Sequence, residues 1–106
     1  MKQDVITFLV ESLGLSKDEL PEFYDTFMTS FDECAQELSG ITSFTDFMGI
    51  RRITHTLIGF SQNVGAMDLF ESARALNAAA KAEDPSACEA ATRALLGLYA
   101  AYKAEA

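Results

Sequence analysis

The chain has one histidine, no tryptophan, two prolines, six glycines and two cysteines in 106 residues. So little proline and glycine argues against linker-like, collagen-like or disordered stretches. The cysteines, Cys34 and Cys88, form no CxxC pair and have no companion histidines, so they offer no zinc ligand set and only a weak disulfide framework. They read as reduced core residues, with a mutual disulfide as the competing reading. No apolar run approaches the roughly 20 residues a membrane span needs, and Lys2 and Asp4 bracket only a brief apolar segment. Neither insertion nor secretion is expected, and the cytoplasm is the expected location. Paired catalytic carboxylates, a Cys/His nucleophile pair and a glycine-rich phosphate loop are absent as well, which argues against a hydrolase or other stand-alone enzyme.

Basic residues are also scarce: eight Lys and Arg stand against sixteen Asp and Glu, a formal net charge of −8. Residues 1–50 hold ten acids and two bases, whereas the remainder is balanced at six of each. Such a surface repels nucleic acid phosphates, so no DNA or RNA partner is expected. The balanced part opens with Arg51 and Arg52, just ahead of the one histidine, His55.

What is present is helical pattern. Hydrophobic residues make up 49% of the chain, and its length suits one domain, residues 1–106, around one core. Val5, Ile6, Phe8, Leu9 and Leu13 predict a short helix from Asp4 to Leu13, stopped by Gly14. Ser16 and Glu19 have capping-box spacing, and Leu20, Phe23, Tyr24, Phe27, Phe31, Cys34, Ala35 and Leu38 recur at helical steps up to Gly40. Pro21 is tolerable in that helix's first turns and could instead mark its start. Thr42 or Ser43 can cap a third helix, Ser43 with Asp46 forming a weaker capping box; its stripe is Phe47, Ile50, Thr54, Leu57, Ser61 and Val64, flanked by Phe44, Ile53 and Phe60. Gly65 lets the chain turn back. A fourth helix presents Leu69, Phe70, Ala73, Leu76 and Ala80 and stops near Glu83; Asp84 and Pro85 start a fifth through Leu95, Leu98, Tyr99 and Tyr102. Short connections between amphipathic helices predict an all-α, antiparallel up-and-down four-helix bundle, with the short N-terminal helix across one end.

The chemistry lies in the middle of the third helix. Residues three and four apart share a helix face, so His55 shares a strip with Arg51, Arg52, Ile58, Gly59 and Gln62. The apolar stripe through Thr54 and Leu57 is rotated from it by about 100° per residue, which turns His55 toward solvent. Glycine inside a helix costs about 1 kcal/mol relative to alanine, and Gly59, one turn beyond the histidine, would leave the imidazole unencumbered. A neutral imidazole, with a reference pKa near 6.5, can attack phosphorus through a ring nitrogen. Adjacent arginines favour that neutral form and can attract a phosphoryl group. Taken singly, an exposed helical histidine is a surface residue and a helical glycine lets helices approach. One histidine without partners at ligand spacing gives no metal site.

Taken together, His55, Leu57, Gly59 and Gly65 spell H-x-L-x-G followed by a glycine at the helix end. This resembles the histidine-containing phosphotransfer (HPt) family, whose motif is similar to H-x-L-K-G, and Leu69, Ala73 and Leu76 recur where the family's next helix has core positions. The resemblance implies a phosphorelay carrier of two-component signalling rather than a stand-alone enzyme. His55 would take a phosphoryl group from one receiver-domain aspartate and pass it to another, with magnesium and most catalytic groups on the receiver and no cofactor on this chain. Its partners would be response-regulator receivers or a hybrid sensor kinase, the chain itself acting as a monomer. Docking and phosphoryl support would fall to Arg51, Arg52, Ile58, Gly59 and Gln62, with Phe60 or Gln36 at the margin. Ile58 departs from the pattern, because the family has lysine there. Loss of that contact would cost about tenfold in transfer or phosphohistidine lifetime, unless Arg51, Arg52 or Gln62 replaces it. The rival expectation is a helical adaptor that binds a receiver or another signalling protein without carrying phosphate, with Ile58 as an apolar contact.

Overall fold

A computed structural model describes residues 3–105. It contains α1 (Gln3–Glu11), α2 (Leu20–Ser39), α3 (Phe47–Asn63), α4 (Met67–Lys81) and α5 (Pro85–Glu105), and no strand among the described residues.

The helix ends follow from local chemistry. α1 stops at Glu11, short of Leu13, and Gly14 takes a φ of +68° in the turn that follows. The Ser16 and Glu19 capping box forms reciprocally: Glu19 Oε1 accepts from the Ser16 amide at 3.1 Å, and Ser16 Oγ accepts from the Glu19 amide at 3.3 Å. It closes a turn ahead of α2, so the helix proper starts at Leu20 with Pro21 in its first turn. Hydrogen bonding to the carboxyl from the Ser16 amide, and then from the Ser16 hydroxyl, holds Glu19 below the usual glutamate range.

The cap of α3 differs from expectation. Neither Thr42 nor Ser43 caps it; Ser43 Oγ pairs with Thr45 Oγ1 at 2.6 Å, and Asp46 caps the helix by accepting from the Gly49 amide at 3.1 Å. Gly49 leaves space for this cap, since a β-carbon there would meet the Asp46 carboxylate and make it shift. α3 ends in a Schellman turn at Gly65, φ +69°, whose amide donates to Gln62 O while the Ala66 amide donates to Ser61 O. α4 closes in the same way at Glu83, a non-glycine residue at φ +53°. Asp84 then caps α5 through the Ala87 amide at 3.1 Å, with Pro85 as its first residue.

Contacts between helices run in opposite senses along each neighbouring pair. Glu37 late in α2 meets Arg52 early in α3, while Phe27 meets Phe60 further along α3. Asn77 of α4 meets Thr54 of α3, and Asp68 at the start of α4 accepts from Tyr102 Oη near the end of α5 at 2.6 Å. Lys103 of α5 reaches Asp32 of α2 at 3.4 Å, which closes the ring of four helices.

One hydrophobic core runs through the bundle, and its aromatic part joins three helices. Phe31 packs edge-on to Tyr99 and Tyr102 at 4.9 and 5.5 Å, and Phe27 edge-on to Phe60 at 5.7 Å. Val5 and Leu9 of α1 are buried in the same core, and the Phe8 ring lies against Gly65, so α1 reaches the end where α3 turns into α4. Most of the expected apolar positions are buried or half-buried; Leu13, beyond the end of α1, and Phe23 are exposed at 47% and 42%. Phe23 sits one residue before Tyr24, about 100° around α2, and flanks the buried stripe.

The left-handed backbone at Glu83 gives a direct test. Its side chain is exposed, and a β-carbon in that conformation costs about 1 to 2 kcal/mol, partly offset in glycine by backbone entropy. Glu83→Gly is therefore expected to stabilise the fold by up to about 1 kcal/mol, read as a higher urea midpoint at unchanged slope.

Candidate functional site

α3 is capped at one end by Asp46 and locked at the other by Gly65, so residues between them are held on a rigid helix. His55 lies near its middle and is exposed, as the helical phase requires. Directly behind it Thr54 is fully buried, its Oγ1 within 3.0 Å of Arg51 O and 3.1 Å of Asn77 Oδ1. That hydroxyl ties α4 to α3 at the residue next to the histidine.

A hollow of about 460 Å³ opens beside the imidazole, lined by Arg51, Thr56, Asn77 and Lys81 among others, with the 84% exposed Met48 at its edge. The two arginines ahead of His55 diverge. Both line the hollow with Lys81, but Arg52 Nη2 is held 3.0 Å from Glu37 Oε2 on α2. Gln36 lies on the α2 side of this region, in a depression it shares with Glu37 and Arg52.

Along the strip past His55, Gly59 is exposed, and a β-carbon there would meet nothing within 4 Å. Gln62 is exposed also. Ile58 is half-buried against the core and walls a second hollow with Gln62, Phe70, Arg74, Asn77 and Lys81. There the Arg74 guanidinium lies 5.6 Å above the Phe70 ring. Phe60 belongs elsewhere: it packs on Phe27 and Phe31 and faces the α2 groove that holds Phe23. Its separation of five residues from His55 carries it about 140° around α3, off the histidine face.

Several residues of this region were absent from the expectations, foremost Asn77 and Lys81 on α4. Their signal is combinatorial: they are four apart on one face of α4, and the tight turn at Gly65 folds that helix back beside the first half of α3.

Other reactive side chains are in poor positions for chemistry. Cys34 and Cys88 are free and buried. Burial, then the neighbouring Glu37 and Glu33 carboxylates, pushes the Cys34 thiol up to about 11, and burial with Asp84 raises Cys88, so neither supplies a thiolate at neutral pH. Among the described residues no His, Cys, Asp and Glu cluster could hold a metal ion, and no helix is long and apolar enough to cross a membrane.

Comparison with protein families matches residues 22–105, which include α3 and both hollows, to the Hpt domain. No curated protein and no solved structure gives a significant match.

Gly59 offers a test that separates shape from stability. Its backbone is helical and space for a methyl is open, so Gly59→Ala is expected to stabilise the fold by about 0.5 to 1 kcal/mol, measured by urea denaturation. A loss of stability would show that the glycine serves the fold itself.

Proposed function

The chain belongs to the Hpt domain family, which implies a phosphotransfer-type function in two-component signalling, and on that premise we propose that it is a phosphorelay carrier whose phosphoryl group resides on His55. Residues 1–106 act as a single unit in this reading, located in the cytoplasm with receiver domains or a hybrid sensor kinase as partners. The observation that carries it is the placement of His55, exposed at the middle of a rigid, capped helix within the matched region.

The step asks little of the carrier. A lone pair on an imidazole nitrogen attacks the phosphorus of a receiver's aspartyl phosphate; the nitrogen–phosphorus bond forms as the phosphorus–oxygen bond to the aspartate breaks, and the carboxylate leaves with its electron pair. Return transfer to a second receiver runs the same displacement backwards. Such reactions depend on alignment and charge neutralisation, so the nucleophile needs a fixed helix, open approach and nearby cations. α3, Gly59 and the hollow holding Arg51 supply these in turn. Arg52, Ile58 and Gln62 surround them as the docking margin, with Arg52 tethered to Glu37.

A second reading rests on Ile58. An apolar side chain packed against the core, where the resemblance would place a lysine, suits an adaptor that docks without carrying phosphate.

Incubation with a radiolabelled phospho-receiver separates the two. Carrier function predicts acid-labile, alkali-stable label on the chain that disappears in His55→Gln, whereas stable binding with no label on the wild type would sink it in favour of the adaptor.

A further inference from the structure

We propose that Lys81, reaching in from α4, is the cation that together with Arg51 holds the phosphoryl group on His55. The inference rests on the carrier reading and names a residue that acts in it. A phosphoryl group adds up to about two negative charges, here to a chain whose formal net charge is already −8. Holding it requires local positive charge.

Four cations stand on α3 and α4: Arg51, Arg52, Arg74 and Lys81. Arg52 also lines the hollow beside His55, but its guanidinium is paired with the Glu37 carboxylate of α2 at 3.0 Å, which offsets its charge. Arg74 lies over the Phe70 ring in the second hollow, which His55 does not line. Arg51 and Lys81 remain, and both line the hollow that contains the imidazole. No carboxylate lines either hollow, so nothing there competes for these charges.

The packing explains why Lys81 arrives at this point. The Thr54 hydroxyl fixes Asn77 beside the residue preceding His55, and Lys81 follows Asn77 by one helical turn on the same face. Lys81 is the last residue of α4, where unpaired carbonyls favour a cation, and it is exposed on a flexible stem that can follow a group being transferred. It lines the second hollow as well, together with Ile58, which leaves the strip beyond His55 uncharged.

Potassium phosphoramidate tests this without a receiver. An imidazole nitrogen of His55 attacks its phosphorus, the nitrogen–phosphorus bond of the reagent breaks, and ammonia leaves carrying the ring proton. Lys81→Gln is expected to slow formation of phosphohistidine by about threefold to tenfold, the range of one partly exposed charge contact. It should also move the phosphoryl titration, followed by phosphorus NMR, to higher pH, because a nearby cation favours the dianion. Lys81→Arg should retain both properties. Arg93→Gln, which removes the same charge from α5 away from the hollow, should match wild type. If Lys81→Gln behaved like Arg93→Gln, or if wild-type His55 took no phosphoryl group from the reagent, the assignment would be overturned. Failure of the carrier reading gives a different result: His55 would accept from phosphoramidate with the Lys81 dependence intact, yet take nothing from a phospho-receiver.

Discussion

α3 and α4 make the most extensive contact of any pair of helices here, and small side chains are among the buried residues of both, Thr54 and Ser61 on one and Ala73 and Ala80 on the other. Small side chains let helix axes approach and make their relative register sensitive to individual contacts. The Thr54–Asn77 hydrogen bond lies in that seam, made by a fully buried hydroxyl that also reaches Arg51 O, and a bond of this kind contributes about 0.5 to 1.5 kcal/mol. Everything at the candidate site depends on this register. It sets His55 on the outer edge of the seam, and it decides which α4 side chains stand beside it. A slip of one residue would rotate Lys81 by about 100° and remove it from the hollow.

The charge distribution acquires meaning once the helices are assembled. The acidic excess of residues 1–50 belongs to α1, α2 and their connections, while Arg51, Arg52, Arg74 and Lys81 gather on α3 and α4. The bundle therefore has an acidic side and, around His55, a locally cationic one. The Arg52–Glu37 pair marks the boundary. Both partners are largely exposed, so the bridge adds little to stability, but it lowers the charge available on the α2 side of the histidine. The uncompensated positive charge near His55 is consequently shifted toward α4. An approaching phosphoryl group would meet an asymmetric field, which favours an approach from the α3–α4 side.

Periodicity made most of the fold legible in the sequence. The inward stripes of α2 to α5 and the exposed phase of His55 follow from steps of three and four residues, and Gly65 and Asp84–Pro85 mark boundaries that the chain uses. The misses share a physical cause, which is that spacing does not reveal the neighbouring helix. Phe23 satisfies the apolar pattern but sits at the edge of the α2 stripe, and Phe60 is close to His55 in sequence yet faces α2. Asp46 displaced Ser43 as a cap because Gly49 leaves room for its carboxylate, a compatibility visible only when both are in three dimensions. Asn77 and Lys81 come from a different helix altogether, and the pairing that brings them in is set by the seam.

Ile58 shows how packing and chemistry divide one helix face. It lies one turn from His55, where a cation would be useful, but its side chain is half-buried against the core and walls the groove with Phe70. Burying even part of an isoleucine contributes on the order of 1 kcal/mol, and a lysine at the same place would have to bury its stem while lifting its ammonium clear. Apolar residue and cation therefore compete for this position. Lys81 removes the competition, because at the end of α4 it needs no burial and its charge complements the helix terminus. The isoleucine can then stay packed against the core, and on the carrier reading phosphate stabilisation would be a property of two packed helices instead of one motif.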